Sequence, residues 1–408
     1  MHFRGYGRAV TMLVAEQREM NADVIVVGLG AMGSAALYQL AKRGARVIGI
    51  DRYSPPHTLG STHGDTRVTR LAIGEGEHFV PFAIRSHEIW REIESETGAS
   101  VMTNTGGLIM SSASGQSLHG STKFLETTIA AAEKFGITHR VLNASEIAAE
   151  FPQFVLDGSE CGYFEDDAGF LRPELGVATQ LQLAEKLGAD VRLNERVLRI
   201  EKDGSGVKVT TDKGTYSAAT AIVSAGPWVS EFISTAESDL FKVYRQTLYW
   251  FEVSAAYEQY ELGRFPVFIW SFGRFDGDFV YGFPAINGRD GGLKVASEVF
   301  HATTTPDHAE RNVTDDEAAQ VYSEYISAKL TGVGERCVRS AVCLYTSTPD
   351  SNFVIDWIDE NVLLASPCSG HGFKHSAAIG ETLAELALTK TSQIDISPFR
   401  CRELASFT

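Results

Sequence analysis

The run DVIVVGLGAMGSAALYQLAKRGARVIGIDR, residues 23–52, constrains the fold of this chain more than any other stretch. Residues 24–27 are continuously apolar and β-branched, as suits a parallel strand buried on both faces. Gly28, Gly30 and Gly33 follow in G-x-G-x-x-G spacing, then an amphipathic helix to about Lys42, then a second apolar strand ending at Asp51. Each glycine has a physical task. Gly28 permits the tight turn, Gly30 lets the backbone approach a pyrophosphate, and Gly33 lets the helix pack close to the strand. The helix N-terminus adds free N–H donors and a positive dipole end. Asp51 stands 18 residues beyond Gly33, where an acid can accept hydrogen bonds from ribose hydroxyls.

This pattern predicts a Rossmann-type dinucleotide site and does not by itself separate FAD from NAD. Asp51 disfavours a 2′-phosphate, and the adjacent Arg52 pulls the other way. Beyond it the chain does not continue as a regular α/β series. A Gly/Pro/His-rich loop after Asp51 leads into a helix. Residues 188–228 read as a strand, a hairpin turned at Asp203-Gly204, a second turn at Lys213-Gly214 and a buried strand ending at Ala225-Gly226. Such an insertion suits a flavin domain better than a nicotinamide dehydrogenase. Between 236 and 330 the segments QTLYWFEV, FPVFIW, FVYGFP and GLKVASEVF alternate as strands, and helix follows.

The 408 residues exceed what one core usually supports. The expected fold class is therefore α/β: a Rossmann-type FAD-binding domain with a second α+β substrate domain built on an antiparallel sheet. Residues 21–95, 165–235 and 335–400 are assigned to the cofactor domain, and 96–164 and 236–334 to the substrate domain. Residues 1–20 are expected to be a disordered extension ahead of a start at Met20.

A net charge of −16 repels nucleic acid and anionic membrane surfaces. No apolar run approaches the roughly 18 residues of a spanning helix. The five cysteines, Cys161, Cys337, Cys343, Cys368 and Cys401, form no C-x-x-C pair, so neither a disulfide framework nor a zinc site is expected. A reducing cytoplasm fits this usage. Ser61, His63 and Asp65 hold a triad's residue types within five residues, but without a nucleophile elbow they are not read as one.

Four stretches resemble one family: GSTHGDTRVTRLAIGEG (60–76), YGFPAINGRDGGLK (281–294), AVCLYTSTPDSNFVID (341–356) and SGHGFKHSAAIGE (369–381). With the nucleotide-binding start, they are similar to monomeric sarcosine oxidase and N-methyltryptophan oxidase over residues 22–400. The Cys-Leu-Tyr-Thr and Ser-Gly-His-Gly-Phe-Lys strings are the specific part. The resemblance implies FAD joined through a thioether at Cys343. It places Thr66 and Arg67 against the isoalloxazine, and it has Gly370, His371, Gly372 and Phe373 line the ring. Arg52, Ser61 and Val197 complete the expected cofactor set.

Arg70 and Lys374 are implied as the substrate-carboxylate contacts, Lys294 as a cation over the ring that assists O2, and Tyr281 and Tyr345 as neighbours of the substrate. A guanidinium fork suits a carboxylate because two parallel N–H bonds fix its orientation. The chain departs from the family at Glu298, which stands where sarcosine oxidase carries a histidine, four residues beyond its lysine. An anion there raises the pKa of a nearby amine, or recognises a second positive group on a larger substrate. The 281–294 stretch is two residues longer than its counterpart, and Pro367-Cys368 precede the flavin loop.

The implied activity is oxidation of an N-methyl or other N-alkyl amino acid by FAD and O2, giving an imine, then amine, aldehyde and H2O2. Ring amines such as pipecolate- or proline-like acids and glycated amino acids are the alternative substrates. A flavin-binding assembly subunit is the non-enzyme alternative. The partners expected are a small amino-acid-like amine and O2, with a monomer preferred over a homodimer and no metal.

Overall fold

The computed structural model describes residues 21–112, 118–119, 123–234, 238–273 and 277–400. The expected N-terminal extension, 1–20, lies outside these. Strand Ala22–Val27 runs parallel between Val47–Ile50 and Thr215–Val223. Asp190–Arg192 extends one edge of this eight-stranded sheet in parallel. On the other side Thr215–Val223 is shared along its length. Its first part pairs antiparallel with Gly206–Thr211, and its last part pairs parallel with Val362–Ser366. The hairpin turned at Asp203-Gly204 is present, with Val197–Asp203 antiparallel to Gly206–Thr211.

The predicted turn and helix follow the first strand. Gly28 has φ +86, and a Cβ there would lie 2.5 Å from the Ser224 carbonyl oxygen. Helix Ala31–Lys42 then rises so close to its strand that a Cβ on Gly33 would come within 1.7 Å of the Gly28 carbonyl oxygen. The helix Ser376–Thr389 packs across it, where a Cβ on Gly380 would meet Ala35 Cβ at 2.3 Å.

The second sheet has nine strands, mostly antiparallel, ordered from Thr303–Thr304 through Lys242–Val253, Leu293–Ala296, Phe279–Gly282, Val267–Ser271, Gly107–Ser111 and Cys161–Glu165 to Arg140–Asn143. Its longest member corrects an expected boundary. Residues 335–347, assigned by sequence to the cofactor domain, belong to strand Val333–Ser347, which pairs antiparallel with Lys242–Val253 from Val253↔Val333 to Lys242↔Ser347. Its residues 334–341 are half-exposed or exposed and largely polar, while Val333 and residues 342–347 are buried. A three-stranded sheet, Arg67–Thr69 with Gly169–Leu171 and Met102–Asn104, completes the β structure. Among the described residues no helix is long and apolar enough to cross a membrane.

Gly33→Ala forces a Cβ onto a backbone oxygen that cannot move without breaking the turn, a cost of about 3 kcal/mol. The expected result is a lower urea midpoint with an unchanged m-value; an unchanged midpoint would contradict the packing described.

Candidate active site

A long cavity lies between the C-terminal edge of the first sheet and one face of the second. Gly28, Gly30, Asp51, Arg52, Ser61, Arg67, Arg70, Val197, Tyr281, Glu298, Tyr345, Gly370, His371, Gly372, Phe373 and Lys374 all line it. Of the residues singled out in the sequence, Gly33 lies behind the turn, and Thr66, Lys294 and Cys343 are buried just beyond the wall.

One end is built for a nucleotide. Helix Ala31–Lys42 begins at Gly30 with no side chain capping its first amides, leaving donors for an anion. A Cβ on Gly30 would meet nothing nearer than 3.7 Å, so the approach to its backbone is open. Asp51 is oriented by the amides of Leu29 and Tyr53, each donating to its carboxylate at 2.7 Å. Burial raises the Asp51 pKa and those amides oppose the rise. Arg52 stacks over Tyr53 and Trp228, 5.2 and 5.0 Å from their centroids, and pairs with Glu231 at 3.2 Å. Its charge is thus balanced within the protein. These features fit FAD: an open glycine backbone, uncapped helix amides, an acid and a stacked cation.

The middle of the cavity is fixed by a tight loop. Glu174 accepts from the amides of Gly64 and Asp65, at 2.6 and 3.2 Å. Asp65, at φ +68, accepts in turn from Asn287 and Arg339. Arg67 donates to the carbonyls of Ser61 and Thr66 at 2.8 and 2.9 Å. Lys294 donates to the Gly64 carbonyl, the Thr66 carbonyl and Thr66 Oγ1 at 2.6, 2.8 and 3.1 Å. Burial and the neighbouring Arg67 lower the Lys294 pKa well below that of a free lysine, while those three oxygens provide the acceptors an ammonium needs. Cys343 is fully buried beside Leu248, Trp250 and Tyr345. Burial pushes its thiol pKa up, and Arg67 and Lys294 pull it down.

The far end holds the charges. Arg70 Nη2 pairs with Glu75 Oε2 at 2.7 Å, and Lys374 Nζ lies 3.4 Å from Glu75 Oε1 while donating to the His371 carbonyl at 2.8 Å. Arg70 also donates to the Ala72 carbonyl. The two cations expected to await a carboxylate therefore share an internal counter-ion. Each keeps a donor: Arg70 Nε has no protein partner, and the third N–H of Lys374 is unassigned. Burial opposes ionisation of Glu75, yet Arg70 and Lys374 hold its pKa well below the ordinary carboxylate value. Burial lowers Lys374 to about 8 against the pull of Glu75. The Glu75 loop is held by buried Glu165, which accepts from the Leu71 and Ala72 amides and the Tyr163 hydroxyl at 2.7, 3.2 and 2.8 Å.

Glu298 is not a lone anion. His119 Nε2 lies 2.7 Å from Glu298 Oε2, and His119 Nδ1 lies 3.3 Å from Glu75 Oε1, a charge contact without hydrogen-bond alignment. The sequence reading of Glu298 named no partner for it; the structure supplies one 179 residues away in the chain. Burial lowers the pKa of His119, but Glu298 and Glu75 outweigh it and hold the imidazole at about 9. Glu75 and His119 are the functional residues that sequence reasoning missed. Glu75 sat inside the 60–76 stretch, five residues after Arg70; nothing in the sequence marked His119.

The titrations carry signs. Burial holds His63 at about 3 and His87 at about 4, and lowers His57, His78, His371 and His375. These rings stay neutral in the fold but protonate when unfolded, so stability falls as pH drops below about 6.5. His119 acts oppositely: its contribution is complete below about 6.5 and is lost as pH rises through about 9. The Lys374 penalty is relieved only above about 8. The neutral histidines gain stability over the range in which His119 loses it, so the readout is a difference: urea unfolding is expected to show wild type losing roughly 1.5 kcal/mol relative to His119→Asn between pH 6.5 and 8. A difference between the two proteins that stays constant over that range would contradict the pairing.

The chain matches the model of the family described as FAD dependent oxidoreductase over residues 23–386. It is 36% identical to monomeric sarcosine oxidase from Streptomyces avermitilis over 387 residues, covering 94% of this chain and 98% of that one. It is 33% identical to N-methyl-L-tryptophan oxidase from Salmonella dublin, covering 93% and 98%. Among solved structures, NikD, described as an unusual amino acid oxidase, superposes with a TM-score of 0.79 at 23% identity, covering 94% of this chain and 98% of that one.

Proposed function

Because the chain belongs to the FAD-dependent oxidoreductase family, we propose that it oxidises the C–H bond beside nitrogen in a secondary amino acid, foremost an N-methyl or N-alkyl one. The observation that carries this is the pairing, in one cavity, of a nucleotide cradle at Gly30 with two buried cations, Arg70 and Lys374, that keep donors for a carboxylate. The relatives named above act, by their names, on sarcosine and N-methyltryptophan, both N-methyl amino acids.

FAD, when bound, supplies the two-electron acceptor that takes hydride from the substrate and returns electrons to O2 as H2O2. The residues do the rest by position and charge. Gly30 and the helix after it would hold the pyrophosphate, and Asp51 the ribose. Arg67, Gly370, His371, Gly372 and Phe373 would border the ring system. Arg70 and Lys374 orient the carboxylate, and Tyr281 and Tyr345 flank the amine. Burial keeps both phenols protonated, so they bring no charge of their own. The product imine hydrolyses to amine and aldehyde.

Cys343 is the proposed covalent anchor. Burial raises the pKa of its thiol, and Arg67 and Lys294 oppose that rise, favouring the thiolate that is the nucleophilic form. Lys294 is proposed to assist O2 from beneath the Gly64–Thr66 loop. The unpaired state of Cys161, Cys337, Cys343 and Cys368 supports a reducing, cytoplasmic location.

Anaerobic addition of N-methyl, cyclic and glycated amino acids should bleach the flavin absorbance fastest with an N-methyl acid, releasing formaldehyde on reaction with air. Bleaching by none of them would reject the reading in favour of a non-catalytic flavoprotein. Acid-precipitated protein should remain yellow, and Cys343→Ala should pass its colour to the supernatant; colour retained in the variant pellet would refute the anchor. Lys294→Met should slow oxygen uptake about tenfold or more, equivalent to at least 1.4 kcal/mol, with a smaller effect on anaerobic bleaching. Equal slowing of both steps would remove its proposed role.

A further inference from the structure

We propose that His119 and Glu298 form a charge-balancing couple at the substrate end of the cavity. His119 is the positioning residue that keeps Glu298 from acting on the substrate amine, so that the site accepts a monocarboxylate whose amine is neutral. This rests on the reading of the site as an amine oxidase.

The geometry is a continuous buried chain of charge. Glu298 lies 2.7 Å from His119, His119 lies 3.3 Å from Glu75, and Glu75 reaches Arg70 at 2.7 Å and Lys374 at 3.4 Å. All five side chains are at most 8% exposed. They come from separate places: Glu298 just beyond strand Leu293–Ala296, Glu75 and Arg70 from the loop after strand Arg67–Thr69, Lys374 from the turn before helix Ser376–Thr389. His119 also faces the His371 ring, with centroids 5.4 Å apart, and the uncharged rings of Phe124 and Phe279. Burial lowers the His371 pKa well below that of a free histidine, so His371 adds no charge.

Three cations therefore stand against two carboxylates, leaving one positive charge in excess. In a buried site an uncompensated charge is expensive. An amino acid entering as a monoanion cancels the excess, whereas a zwitterion leaves it uncancelled and a dicarboxylate overshoots. The amine proton is thus released to solvent on binding, which exposes the nitrogen lone pair that oxidation needs. Without His119 the excess vanishes. Glu298 then stands unopposed in the same cavity, where it stabilises an ammonium. The loss of His119 is accordingly expected to act on binding and on the amine's ionisation together. His119 remains charged at neutral pH because its pKa is held at about 9.

The test uses the yellow holoprotein and cyclopentanecarboxylate, an amine-free monocarboxylate, with binding followed by visible absorbance. His119→Asn should weaken its binding about tenfold, or 1.4 kcal/mol. Glu298→Gln, which leaves a second cation in excess, should tighten it by about threefold. His119→Asn with Glu298→Gln should return near the wild-type Kd. In the pH profile of kcat/KM for an N-methyl amino acid, His119→Asn should move the amine limb up by about one unit, and the double variant should restore it. A double variant that binds as weakly as His119→Asn alone, or a Kd unchanged in Glu298→Gln, would overturn the couple, and the latter holds even where His119→Asn fails to fold. Wild type that neither binds the carboxylate nor bleaches with any amino acid would instead reject the amine-oxidase reading beneath it.

Discussion

A charge removed from water must find a partner, and in this fold Glu75 is the partner on which the site depends. Arg70 and Lys374 are almost wholly buried, and each reaches the same carboxylate. Without it, two cations in one low-dielectric interior would carry a desolvation cost of several kcal/mol each. Glu75 makes it possible to keep cations buried at the end of a mostly apolar cavity. It does so without exhausting their hydrogen-bond capacity, since Arg70 Nε has no protein partner. A site that binds a carboxylate needs such held-back donors, already desolvated and aimed.

The rest of the structure places that cluster. Glu165 fixes the Leu71–Ala72 backbone, and with it the separation of Arg70 from Glu75. Glu174 and Asp65 fix the loop that carries Thr66 and Arg67. Glu165 and Glu174 both bind backbone amides, and Asp65 ties its loop to Asn287 and Arg339, so their work is geometric. The second sheet delivers Tyr281, Glu298 and Tyr345 to the opposite wall, and the Lys242–Val253 pairing sets the register of the strand bearing Cys343 and Tyr345. Two sheets that fold around separate clusters thus meet along one ligand-sized gap.

What the sequence revealed was local. Gly28, Gly30, Gly33 and Asp51 are legible because turn, close approach and strand end are dictated within about thirty residues, by sterics that any chain obeys. The resemblance strings carried Arg70, Lys374 and Tyr345 to the cavity wall for the same reason: each sits beside its own motif. What stayed hidden was long-range. The membership of Val333–Ser347 in the second sheet has no local mark, since its pairing partner lies some ninety residues earlier. Glu298 looked like a bare anion because a histidine 179 residues away has no signature in sequence. Charge pairing inside a core is a property of the assembled fold, so it escapes any periodicity.

The account stands or falls on the carboxylate being what the buried cations recognise. The direct measurement is anaerobic, single-turnover bleaching by an N-methyl amino acid compared with its methyl ester, which keeps the amine and the C–H bond but loses the anion. The account predicts rapid saturable bleaching by the acid and a rate lower by at least about a hundredfold for the ester, some 2.7 kcal/mol of lost positioning. Equal rates would show that Arg70 and Lys374 play no part in holding the substrate.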